Sequence, residues 1–182
     1  MTERTVAPAP RSKARVAGVF YLLTILTGAS ALLAPGPLRS AFLFGSTACY
    51  IVVTVLFYGL FCAVNRNISA LAAIFSFVGC ALSILGFFGL DSFHINPLVF
   101  FGCYCLVIGY LILRSTFLPR VLGVFMALGG VGWLTFISPT LSVHLSPFNM
   151  LPGILGETAL TVWLLAAGVN SQRWEEQASA AA

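Results

Sequence analysis

Apolar runs of about 20 residues alternate with short polar breaks along almost the whole chain. Six such runs occupy residues 14–33, 38–64, 68–90, 97–115, 119–137 and 147–169. A helix rises 1.5 Å per residue, so roughly 20 apolar residues cross the hydrocarbon core of a bilayer. The pattern therefore predicts an all-α fold: a polytopic membrane helix bundle with six transmembrane helices.

The breaks carry turn and cap chemistry. Ala34-Pro35-Gly36-Pro37 stops the first helix. Asn65-Arg66-Asn67 reads as a tight turn, and Asp91 to Ile95 as a loop. Asn96-Pro97 and Ser146-Pro147 each offer a cap side chain followed by a proline, whose missing N–H costs nothing at a helix start. Ser138-Pro139 is expected to end the fifth helix. Residues 1–13 are polar and aperiodic and are expected to be a disordered tail; residues 170–182 are expected to be a polar tail. A basic leader before an apolar run with Ala29-Ser30-Ala31 has the outline of a signal peptide. That run exceeds the usual apolar core of about 7–15 residues, so an uncleaved first helix is the better reading.

Charge turns the pattern into a topology. With the N-terminus inside, the cytosolic side receives Arg4, Arg11, Lys13, Arg15, Arg66, Arg114, Arg120 and Arg173, while the outer side receives Arg39. Positive charge near helix ends marks the cytosolic side, so both termini are expected there. The implied compartment is the bacterial cytoplasmic (inner) membrane, crossed several times.

Composition narrows the function classes. Of 182 residues, 59% are hydrophobic and 8% charged, with a mean hydropathy of +1.01. Soluble domains carry about 25% charged residues, and this chain has too little polar surface to cover a water-soluble globule. The net charge of +4 reads as a topology signal, and no nucleic-acid partner is expected. The five cysteines, Cys49, Cys62, Cys80, Cys103 and Cys105, lie in or beside apolar runs and read as small apolar fillers. There is no G-x-S-x-G, no H-E-x-x-H and no phosphate loop, and no cofactor is expected.

Small residues predict where helices press together, because association in lipid relies on close packing and interhelical hydrogen bonds. The third helix carries Ala72, Ser76, Gly79, Ser83, Gly86 and Gly89 on one stripe and is expected to be the most enclosed. The fifth repeats the pattern with Gly123, Ala127 and Gly130. The second helix instead shows hydroxyls: Tyr50, Thr54 and Tyr58 are four apart, and this face should look inward.

Glu157 is the acidic residue inside a predicted span, near its middle, with Thr161 one turn later. Two readings are open. It is a proton-coupling or ligand-anchoring acid, or it is a neutral carboxylic acid hydrogen-bonded to the Tyr/Thr face of the second helix. A weaker candidate is a metal site from Asp91, His94 and His144, whose residue types suit a transition metal if the two loops meet.

Val64-Asn65-Arg66, the block G-Y-L-I-L-R-S-T-F-L-P-R-V-L-G from Gly109 to Gly123, the opening Arg15 to Ile25, and Gly156-Glu157 followed by Trp163 to Leu165 resemble a bacterial membrane-protein family catalogued as domain of unknown function 4386. The resemblance runs over about residues 14–169. It implies a small polytopic membrane protein with no established activity. Relatives often carry an arginine and a glutamate where this chain has Ser76 and Gly79, and a histidine where it has Tyr104. A polar site built by those groups is reduced here to Glu157 and tyrosines, Tyr104 among them.

The expected function is a non-enzymatic module that binds a lipid, a small apolar ligand or a protein partner within the membrane. The alternatives are a small proton-coupled carrier using Glu157 and a membrane enzyme. The expected partners are the bilayer and one of those ligands, with a second copy of the chain as a further candidate.

Overall fold

A computed structural model describes residues 9–90 and 95–180. It contains eight α-helices: α1 (Pro10–Leu33), α2 (Gly36–Phe61), α3 (Arg66–Phe87), α4 (Leu98–Arg114), α5 (Arg120–Leu134), α6 (Pro139–Leu145), α7 (Leu151–Ala166) and α8 (Ser171–Ala180). Three-residue 3₁₀ turns at Thr135–Ile137 and Phe148–Met150 extend α5 and precede α7. No strand occurs among the described residues.

Among the described residues, five stretches are long and apolar enough to cross a membrane: Pro10–Leu33, Gly36–Phe61, Arg66–Phe87, Arg120–Ile137 and Phe148–Ala166. Leu98–Arg114 is apolar but shorter, at 17 residues. The chain is thus an all-helical bundle with the apolar helices of a multi-pass membrane protein. Its outer surface agrees: Leu26, Val55, Ile74, Leu128, Val131 and Val162 point away from the bundle. In water such a surface would drive aggregation, whereas lipid solvates it.

The six long helices form a closed ring. Each packs on the next in the order α1, α2, α3, α4, α5, α7, and α7 returns to α1. The ring encloses Tyr21, Phe57, Tyr104, Ile108, Met126 and Leu160, all buried.

Two helices meet at backbone distance, and their glycines show why. On α4, Gly102 and Gly109 stand seven residues apart; on α5, Gly123 and Gly130 do the same. A Cβ on Gly123 would lie 2.7 Å from the Gly109 carbonyl oxygen, and one on Gly130 would lie 2.7 Å from that of Gly102. The relation is reciprocal: a Cβ on Gly109 would meet the Gly123 oxygen at 2.8 Å and the Ala127 backbone nitrogen at 2.9 Å. The opposite face of α5 repeats this against α7, where a Cβ on Gly129 would lie 3.0 Å from the Gly153 Cα. This makes α5, packed at backbone distance on two sides, the most tightly held helix. The expectation that the third helix holds that place is corrected. Its stripe is buried at Ala72, Ser76 and Gly79, but Gly86 and Gly89 are exposed, with nothing among the described residues within 4 Å of where a Cβ would stand. The neighbouring α4 has 17 residues against the 22 of α3, a shortfall of about 7 Å at 1.5 Å per residue. Ser83, between these two halves, turns its hydroxyl back to the Gly79 carbonyl at 2.9 Å.

Helix boundaries differ from expectation where cap chemistry was read one element too coarsely. Residues 10–13 belong to α1, with proline in the first turn. The Asn96 Oδ1 accepts from the Leu98 N–H at 3.0 Å, but the cap position itself is Pro97, and α4 starts at Leu98. Ser138-Pro139 ends α5 and also starts α6, the Ser138 hydroxyl accepting from the Leu141 N–H. Ser146-Pro147 directly precedes the last membrane-length stretch, Phe148–Ala166, whose first turn is 3₁₀ and whose α-helix, α7, begins at Leu151.

The residues read as a polar tail form α8, an amphipathic helix that clasps one end of the ring. Trp174 donates its indole N–H to the Leu60 carbonyl at 2.8 Å. Gln177 Oε1 accepts from the Thr116 N–H at 2.9 Å, and Gln177 Nε2 donates to the Arg114 carbonyl at 3.2 Å. The α4–α5 turn leaves backbone groups without helical partners, and α8 supplies the missing ones.

Candidate functional site around Glu157

Glu157 stands tenth in the 19-residue apolar stretch Phe148–Ala166. One turn before it, Gly153 leaves room for the Trp133 ring, whose atoms occupy the place a Cβ would take. Gly156 likewise lets the α5 backbone approach, since a Cβ there would lie 2.6 Å from the Phe125 carbonyl oxygen. The two glycines thus bring α5 against α7 and set Trp133 beside the carboxyl group. Trp133 Nε1 donates to Glu157 Oε1 at 3.1 Å. Cys105 Sγ, from α4, approaches the same oxygen as a donor at 3.7 Å. The second oxygen, Oε2, has no hydrogen-bond partner among the described residues. Glu157 as a whole is half-buried.

Thr161 is buried but donates to the backbone carbonyl of Glu157 at 2.7 Å, and so closes a turn of α7. Thr54 does the same with the Tyr50 carbonyl at 2.9 Å and pairs with the Ser76 hydroxyl, which ties α2 to α3. The polar face of the second helix therefore serves α3, and the hydrogen bonds of Glu157 run to α4 and α5. Tyr58 is half-buried, and its carbonyl accepts from Ser69; among the described residues its hydroxyl makes no contact that links it to Glu157.

Tyr50 and Tyr104 do come together, with ring centroids 5.7 Å apart, and they are joined by Tyr21, centroid 5.7 Å from Tyr50. All three rings are buried, and their hydroxyls have no hydrogen-bond partner among the described residues. They lie within electrostatic range of the Glu157 carboxyl. A buried hydroxyl without a partner is costly, so three in one place form a polar cluster inside an apolar bundle.

Sequence reasoning missed three members of this site. Tyr21 is one turn beyond Ala17 on a buried line with Ala14, so its spacing from two small residues was the available signal. Trp133 had no such signal, because indole pairing with a carboxyl depends on helix rotation. Cys105, read as a filler, is correctly apolar in its burial but also faces Glu157. All five cysteines are free thiols.

Of the candidate metal site, the described residues include only His144. His144 is exposed at the end of α6, while Asp91 and His94 lie outside the described residues. Among the described residues no group of three His, Cys, Asp or Glu side chains is placed to hold an ion.

Residues 89–168 match the family described as Domain of unknown function (DUF4386), the family the sequence resembles. No curated protein and no solved structure matches the chain. The matched stretch holds Cys105, Trp133 and Glu157, while Tyr21 and Tyr50 lie outside it.

Proposed function

We propose that this chain, matched over residues 89–168 to a family of unknown function, is a non-enzymatic binding module of the bacterial cytoplasmic membrane. In this reading it crosses six times, with both termini in the cytosol, and α4 is the short sixth span. Its ligand is a lipid or another mostly apolar molecule with one hydrogen-bond donor. The observation that carries this reading is the half-buried Glu157 carboxyl, with Oε1 held by two side chains and Oε2 without a described partner. A donor arriving from the lipid side would meet an acceptor already fixed in place, so little order would be lost on binding. The apolar neighbours Ile154 and Leu155, both exposed, would flank its chain.

The test is mass analysis of lipids retained by the protein after purification in detergent. Wild-type protein should retain a defined molecule that Glu157→Leu loses, with helix content unchanged by circular dichroism. Identical retention by both proteins would refute the reading.

The buried hydroxyls of Tyr21, Tyr50 and Tyr104 favour a second reading, a small proton-coupled carrier. Three phenols beside one carboxyl offer stepping stones for a proton once water enters. Proton flux into protein-loaded liposomes, abolished by Glu157→Gln, would select the carrier over the binding module.

A further inference from the structure

A separate cavity lies at the end of the ring that α8 clasps. It has a volume of about 730 Å³ and is lined by Ser115, Thr116, Leu118, Arg120, Arg173 and Glu176, among others. Several polar groups around it are already engaged within the protein. Ser115 donates to the Ile112 carbonyl at 2.8 Å, and the Thr116 N–H is taken by Gln177. The arginines are the exception. Arg173 uses one nitrogen on the Thr116 carbonyl at 3.3 Å and keeps its other donors. Arg120 has no hydrogen-bond or ion-pair partner among the described residues and is exposed.

Guanidinium groups present several donors in a fixed plane that matches phosphate oxygens. Two of them on one cavity wall are opposed by a single carboxylate, Glu176, which itself accepts from Gln172 at 3.0 Å. We propose that this cavity binds a phosphate-bearing anion, with Arg120 and Arg173 as its ligands. The phosphate comes either from the headgroup of an anionic lipid or from solution. Arg120 starts the membrane-length stretch Arg120–Ile137, and Arg173 lies on α8, which follows the stretch ending at Ala166; basic pockets at the headgroup level attract anionic lipid. The site is distinct from Glu157 and does not depend on what binds there.

The experiment measures thermal stabilisation of the full chain in detergent on titration with phosphatidylglycerol, with phosphatidylcholine and with inorganic phosphate alone. Phosphatidylglycerol should stabilise the protein and phosphatidylcholine should not. Arg120→Gln should weaken the apparent affinity about tenfold, the order expected for loss of one charge-assisted contact. Arg39→Gln, at the opposite end of the bundle, should leave it unchanged. Glu176→Gln should tighten binding about twofold by removing an exposed opposing charge; this surface variant carries the test if Arg120→Gln does not fold. A response to inorganic phosphate as strong as that to phosphatidylglycerol would assign the site to free phosphate. Equal responses to the two lipids, an unchanged affinity in Arg120→Gln, or no effect of Glu176→Gln would overturn the proposal.

Discussion

Adding one methyl group at Gly123 should unsettle the bundle more than adding several at Gly86. At Gly123 the new Cβ would stand 2.7 Å from the Gly109 oxygen, 2.8 Å from the Leu113 Cγ and 3.0 Å from the Leu113 nitrogen. Ordinary contact begins near 3.4 Å, so α4 and α5 must separate by about 0.7 Å, and two of the three obstructing atoms are backbone. Overpacking of this kind costs about 1–3 kcal/mol, and a rigid backbone places Gly123→Ala towards the upper end. At Gly86 nothing among the described residues lies within 4 Å, so even Gly86→Leu should cost less than about 0.5 kcal/mol. Equilibrium unfolding in mixed detergent measures both. The pair Gly109→Ala and Gly123→Ala supplies an internal check. One separation of the helices relieves both clashes, so the double variant should lose less than the sum of the singles. A Gly123→Ala protein as stable as wild type, or a Gly86→Leu protein equally damaged, would refute the reciprocal glycine contact as the tightest joint in the ring.

Gly153→Ala should displace Trp133, because the added methyl takes ring space, and its indole emission should shift while Trp163 and Trp174 report no change; unaltered emission after correction for the other two would count against the Trp133–Glu157 contact. For topology, Arg66→Cys and Thr116→Cys should react with a membrane-impermeant maleimide only from the cytosolic side, and Val143→Cys only from the opposite side, all three positions being exposed. Labelling of Val143→Cys from the same side as Arg66→Cys would defeat the both-termini-inside arrangement.

Much of the fold was legible in the sequence because lipid imposes length and apolarity on each span, and both can be read residue by residue. The start signal at Asn96-Pro97 was equally local, whereas Asn65, read as part of a turn, proves to cap α3, its side chain accepting from the Ile68 N–H at 3.0 Å. What failed depended on neighbours. Six small residues on α3 define a stripe, but whether a helix covers its outer half depends on how long α4 is. The Gly123–Gly130 pair was visible as a stripe, while its partners Gly102 and Gly109 show their role only when α4 is laid against α5. The site was legible only as Glu157 and two of its tyrosines. Its Trp133 and Cys105 donors are brought in by helix rotation, which no spacing along one helix reports. The α8 helix was passed over because its polar composition resembles that of a tail, though Trp174 and Gln177 sit three residues apart and so share a face.

The closed ring also imposes an order on assembly. Neighbours from α1 to α5 follow one another in the chain, so each can settle against its predecessor as soon as it enters the membrane. The seam between α1 and α7 cannot, since more than a hundred residues separate its two sides. Until α7 arrives, the Gly18 side of α1, which packs on Leu164 and Leu165, borders lipid. The helix that finally covers that face is the one that bears Glu157. The half-buried Glu157 therefore arrives with the helix that closes the ring, and a chain stalled before α7 would be an open arc with an unfilled seam.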